Sequence, residues 1–112
     1  MNGRTDKALD MMSMARRAGE LIIGQDKIFD AIKSGGRLAV FVTEDCSQNV
    51  MRTLNAAEAR GSIKILNIKD TDRALLGQRL GISAAQAAAL PEESGFAKKI
   101  CFLIEDRSDA DE

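Results

Sequence analysis

Histidine is absent from the 112 residues, and so are tryptophan and tyrosine. Without histidine, Ser-His-Asp and Cys-His catalysis, imidazole acid–base chemistry and histidine-bearing metal sites are excluded. Four phenylalanines are the whole aromatic complement, so a platform on which single-stranded bases stack is missing. The two cysteines, Cys46 and Cys101, stand far apart and form no CxxC pair. Neither a zinc site nor a disulfide framework is signalled, and a reducing, cytoplasmic setting is expected. No apolar run exceeds five residues, whereas a membrane span needs about 20. The opening MNGRTDKALD has no apolar core of the secretory kind. No membrane partner and no cofactor are therefore expected.

What is present is an ordinary globular balance, 45% apolar and 29% charged, in a length that suits one domain. The formal net charge of −1 is unevenly spread. Glu105, Asp106, Asp109, Asp111 and Glu112 face the single Arg107 in the last eight residues, a net of −4 that leaves residues 1–104 at +3. The expectation is a mildly basic domain over 1–104, followed by an acidic, disordered tail over 105–112.

Glycines divide the chain. Asp6 is placed to cap a helix whose Ala8, Met11, Met12, Ala15 and Ala18 follow helical spacing, and Gly19 gives it a left-handed stop. Met11, Met12 and Met14 read as packing residues. Leu21 to Ile23 is a very short strand ending at Gly24. Residues 25–34 read as a helix burying Ile28, Phe29, Ala31 and Ile32. Leu38–Val42 is apolar on both faces, the pattern of a central strand covered on two sides. Ser47 caps a helix through Arg60 with Val50, Met51, Leu54 and Ala57 inward, and Ile63–Ile68 is a second good strand. Asp70, Thr71 or Asp72 opens a helix burying Ala74, Leu75, Leu76 and Leu80 and ending at Gly81. Residues 84–90, AAQAAAL, stay ambiguous: alanine favours helix, but the stretch is short and bounded by Ser83 and Pro91. Ser94 caps a last helix carrying Phe96, Ile100, Leu103 and Ile104. Alternating helices and strands predict a three-layer α/β/α sandwich.

Each candidate for chemistry has a plainer reading beside it. Gly19 to Gly24 is spaced like a phosphate loop, but Gln25-Asp26 stands where lysine and serine or threonine should follow. Gly35-Gly36 joins helix to strand and reads as a helix stop. Glu44-Asp45 follows the central strand, where α/β ligand sites lie, yet no third carboxylate completes a metal or acid–base site. Cys46 precedes a helix N-terminus, which lowers a thiol pKa, while its acidic neighbours raise it. Arg16-Arg17 either complements a helix C-terminus or contacts phosphate. Lys98-Lys99 reads as a solvated face.

Taken together, ARRAGELIIGQDKIFDAIKSGGRLAVFVTEDCS, LGQRLGI and GFAKK resemble the L-seven-Ae ribosomal protein family, the kink-turn RNA binders. The likeness runs from about Ala8 to Ile104 and is strongest toward the short bacterial, ribosome-associated members. It implies an α/β/α sandwich around a mixed four-stranded sheet, with residues 84–90 as the fourth strand or its approach. It further implies a non-enzymatic protein that grips structured RNA, ribosomal RNA above all, with ribosomal proteins as neighbours and a monomeric state. By residue, the implied RNA contacts are Gly24, Gln25, Asp26 and Lys27 in one loop and Ile82, Ser83 and Ala84 in another, with Arg16, Arg17 and Glu44 nearby. Amides at a helix start hold phosphate, polar side chains read splayed bases, and a small apolar loop covers an extruded base. The family's Gly-x-Asn-Glu, with lysine three residues on, is here Gly24-Gln25-Asp26-Lys27 and then Asp30, so two charges are inverted. Those inversions and the acidic tail keep open a second reading, a protein-interaction module on the same fold with little or no RNA binding.

Overall fold

The computed structural model describes residues 3–105, and the chain alternates helix and strand as the punctuation predicts. The elements are α1 (Gly3–Arg17), β1 (Ile22–Ile23), α2 (Gln25–Lys33), β2 (Leu38–Val42), α3 (Gln48–Ala59), β3 (Ile63–Asn67), α4 (Arg73–Leu80), β4 (Ala87–Pro91) and α5 (Gly95–Glu105). The expected acidic tail lies outside the described residues except for Glu105. That residue closes α5, and its carboxylate accepts a 2.9 Å hydrogen bond from Lys64 Nζ.

The sheet has the order β1-β4-β2-β3. β2 and β3 run parallel, whereas β4 runs antiparallel to both β1 and β2. β2 is buried along its whole length, and its side chains alternate between two cores. Ala39 and Phe41 join α1, α4 and α5 on one face. Leu38, Val40 and Val42 join α2 and α3 on the other. Period-two alternation against helices on both sides is why this run is apolar throughout.

The fourth strand falls where the resemblance puts it. Ala87, Ala88 and Ala89 are wholly buried, and β4 gives up its alanine helix propensity because ladders on both of its edges satisfy its backbone. The caps are local: Ser47 Oγ accepts from the Val50 amide, Asp72 Oδ1 from the Leu75 amide, and Ser94 Oγ from those of Phe96 and Ala97.

Several burial expectations fail. Ala74 is exposed, and Phe29, Ala31, Ile32, Met51 and Leu75 are only partly buried. Met12 is buried and Met11 partly so, but Met14 stands 45% exposed. Asp6 lies in the first turn of α1 rather than at a cap, because the helix already begins at Gly3. Its carboxylate meets Arg79 of α4 at 2.8 Å, and Asp10 meets the same guanidinium.

Gly77 shows how tightly α4 packs on the segment that follows it. A Cβ there would lie 2.5 Å from the Ala84 Cα and 2.7 Å from its nitrogen. Backbone cannot swing aside as a flexible side chain can, so Gly77→Ala is expected to cost about 1–3 kcal/mol, toward the upper end. Gly95→Ala, with open space around it, should change stability by no more than about 0.5 kcal/mol. Urea unfolding of both variants checks this. Equal stability of Gly77→Ala and the parent would mean that the 83–84 backbone yields freely.

Candidate functional site

The carboxyl ends of β1, β2 and β3 and the start of β4 lie at one end of the sheet. β1 leads into Gly24, whose φ of 96° suits only glycine. The Gly24 amide continues the ladder by donating to Ala87 O at 3.2 Å, and its carbonyl accepts from the Ile28 amide. No side chain caps α2. The first-turn amides at Gln25, Asp26 and Lys27 therefore face outward with the positive end of the helix dipole.

From the other side comes the α4–β4 loop. A left-handed Gly81 ends α4, Ile82 returns its amide to Gly77 O, and Ala85 donates to Arg73 O. Between the two loops lies an open cleft of about 220 Å³ lined by Gly24, Gln25, Arg73, Ala84, Ala85 and Gln86.

Gln86 ties the loops together. Its Oε1 accepts from the Ser47 amide at 2.8 Å, and its Nε2 donates to Gln25 Oε1 at 3.1 Å. The first bond fixes which way the Gln86 amide points. The second leaves the Gln25 amide nitrogen as the group offered to the cleft. The Gln86 carbonyl meanwhile accepts from the Thr43 amide.

The acidic pair after β2 turns out to anchor loops. Glu44 Oε2 accepts from the Asp70 amide at 3.0 Å, which helps hold Asp70 at its positive φ of 54°. Asp45 Oδ1 accepts from the Thr43 hydroxyl at 2.8 Å and from the Arg73 amide at 2.9 Å. The Arg73 guanidinium reaches Asp45 Oδ2 at 3.2 Å and its carbonyl at 2.7 Å. The Thr43 hydroxyl, then Arg73, hold the Asp45 carboxyl below its usual range against some desolvation. Burial pushes the Cys46 thiol upward, with Arg73 opposing and Asp45 reinforcing, which speaks against a reactive thiol.

The sequence-derived candidates are thus brought together unevenly. Gly24, Gln25 and Ala84 line the cleft. Asp26 and Lys27 are exposed on the first turn of α2, and Ser83 is exposed beside a partly buried Ile82. Arg16 reaches Gly81, its Nη1 lying 3.6 Å from where a Cβ would be. Arg17 turns back on its own helix to Ser13 at 3.2 Å. Glu44 is committed to the Asp70 amide. Arg73 and Gln86 escaped the sequence reading because their partners lie 28 and 39 residues away and follow no motif. The one available hint was that Gln86 interrupts an otherwise apolar run, AAQAAAL; Arg73, after Lys69-Asp70-Thr71-Asp72, gave none.

The fold is thus a mixed-sheet α/β/α sandwich in which two loops meet over an uncapped helix start. The chain belongs to the Ribosomal protein L7Ae/L30e/S12e/Gadd45 family, whose profile matches residues 6–102. It is 27% identical over 95 residues to the RNA-binding protein YlxQ of Bacillus subtilis, covering 85% of this chain and 92% of that one. The RNA-binding protein YlxQ of Enterococcus faecium is likewise 27% identical over 103 residues, covering 92% and 96%. Among solved structures, a Bacillus halodurans protein of unknown function superposes with a TM-score of 0.79 at 22% identity, over 89% of this chain and 98% of that one. The Giardia lamblia 15.5kD RNA binding protein gives 0.68 at 12% identity, over 97% and 92%.

Asp45→Asn keeps an acceptor for Thr43 and removes the charge facing Arg73. A carboxylate with a lowered folded pKa contributes stability above its unfolded pKa and loses it as pH falls through the folded value. The parent should therefore melt above the variant at neutral pH, and the gap should close below about pH 4. Thermal melts across the pH range check this; a gap that persists in acid would show that the charge is not its source.

Proposed function

We propose that this chain is a non-enzymatic binder of structured RNA, ribosomal RNA above all, gripping it through the β1–α2 loop and the α4–β4 loop. The observation that carries the reading is the cleft itself: both loops on which the family resemblance places RNA contacts line one opening. Three unspent amides at the start of α2 suit a phosphate, the Gln25 amide nitrogen suits a base-edge acceptor, and the small Ala84–Ala85 surface leaves room for an extruded base. The relatives named as RNA-binding proteins support the same reading. Arg16 and Arg17 add phosphate contacts at the rim, with Asp26, Lys27, Ile82 and Ser83 completing the face. Ribosome association, a cytoplasmic setting and a monomeric state belong to this proposal.

Filter binding with ribosomal RNA fragments tests it. Affinity should fall as salt rises, because phosphate contacts release counterions. Arg16→Ala with Arg17→Ala should flatten the log–log salt slope by about 1–2. No binding at low salt would overturn the proposal.

The inverted motif yields a gain-of-function test. Asp26→Asn, Lys27→Glu and Asp30→Lys together restore a donor–acceptor amide, a carboxylate acceptor and a phosphate cation in the family's order. At about 1–3 kcal/mol for a well-made base contact, the triple variant should bind a standard kink-turn at least tenfold more tightly than the parent in gel-shift titration. Equal affinity would mean that the parent reads kink-turns by other contacts.

A further inference from the structure

The face formed by α1 and α5 carries an apolar groove that shares no residue with the cleft. One part, about 540 Å³, is floored by Met11, Phe102 and Leu103 and edged by Lys7, Lys98 and Lys99. Through Met11 and Lys99 it continues into a hollow of about 380 Å³ beside Gly95 and Phe96. At 1.5 Å of rise per residue, the stretch of α5 from Gly95 to Phe102 makes the floor about 10 Å long, some two helical turns. Phe102 is 63% exposed, with the Arg4 guanidinium 5.7 Å above its ring. Met14, a turn beyond Met11 on α1, is exposed as well. Large apolar side chains gathered in water beside a hollow mark an interaction site more often than a folding need.

The rim sets three lysines against two acids. Asp10 is paired with Arg79, and Glu20 accepts from the Ser94 hydroxyl while keeping its charge. The side-chain ammonium groups of Lys7, Lys98 and Lys99 have no hydrogen-bond or ion-pair partner among the described residues. Three uncommitted cations around an apolar floor call for a ligand that is apolar along one stripe and anionic beside it.

We infer that this groove docks an acidic amphipathic helix of a partner protein. Apolar side chains at i, i+3 or i+4, and i+7 fill the floor, and flanking carboxylates meet the three lysines. The other occupants fit less well. A second copy in a two-fold pair would set lysines against lysines. Residues 106–112 of this chain match the charge but offer Ala110 alone as an apolar residue. RNA would satisfy the lysines while leaving methionine, leucine and phenylalanine against phosphate.

The test titrates the full-length, ¹⁵N-labelled chain with a synthetic 15-residue helix, leucine and phenylalanine on one stripe and glutamate elsewhere. A twin peptide with lysine for glutamate is the control. Expected are saturable binding with amide shifts confined to α1 and α5, at least tenfold weaker binding of the lysine twin, and weakening with salt. Phe102→Ser with Lys99→Glu should lose at least tenfold in affinity while keeping the parent's melting temperature; if it unfolds, Lys98→Glu with Lys99→Glu on the exposed rim serves instead and should lose as much. Equal binding of the two peptides, shifts elsewhere, or no saturation would overturn the inference. So would a concentration-dependent dimer abolished by Phe102→Ser, a tenfold gain on removing residues 106–112, or displacement of the peptide by an RNA oligonucleotide.

Discussion

The antiparallel pairing of β1 with β4 is the constraint from which the candidate site follows. Ile22 opposes Ala89 and Ile23 opposes Ala88, so the point where β1 leaves the sheet is the point where β4 enters it. Two loops remote in sequence are forced side by side, close enough for Gln25 and Gln86 to hydrogen-bond across a separation of 61 residues. β4 is an interior strand of the order β1-β4-β2-β3, with helices above and below. Alanine at 87, 88 and 89 lets backbone carry this junction without crowding either core. Gly77, against the Ala84 backbone, continues the same economy of volume into the loop.

Where the sequence was legible, the signal was local and chemically strong. Leu38–Val42 announces a strand with two covered faces because no single-faced strand tolerates five apolar residues in a row. Ser47 announces a helix start because its oxygen sits three residues before the amide it accepts from, while Asp70, Thr71 and Asp72 offered three such starts and the structure uses Asp72. Gly24 and Gly81 mark turns that need positive φ. Residues 84–90 were not legible from propensity, since what decides them is pairing with β1 and β2 across the chain, and local preference yields to that. The resemblance supplied the strand that the residues alone left open. Asp6 was misread because α1 already begins at Gly3, and Met14 for a different reason. Helical spacing places residues on a face, but only the packing of α4 and α5 against α1 decides which part of that face is covered.

The electrostatics around the site follow from division of labour among neighbours. Glu44 and Asp45 look like a free acidic pair, which would repel an anionic ligand and could suggest metal chemistry. In the fold each is consumed by the α4 approach, Glu44 by an amide and Asp45 by Thr43 and Arg73. The guanidinium that neutralises Asp45 also lines the cleft. The acids are therefore the scaffold of the loop, although both remain exposed at its surface. Net charge, −1 for the chain, predicts little here, because what matters is which charges stay uncommitted.

Uncommitted groups occur on two surfaces, and α1 touches both. Lys7 and Met11 border the apolar groove, while Arg16 reaches the Gly81 end of α4. From Met11 to Arg16 the helix rises only about 7–8 Å, yet the side chains share no partner. Arg16 leans toward the α4–β4 loop and Met11 toward α5. Between them Met12 and Ala15 are fully buried, which holds the helix at one register and denies it an alternative packing. A rigid connector without a second state passes on little coupling free energy. Substitutions in the groove and in the cleft should then add in their effects, as in a chain that holds an RNA and a protein helix at once rather than exchanging one for the other.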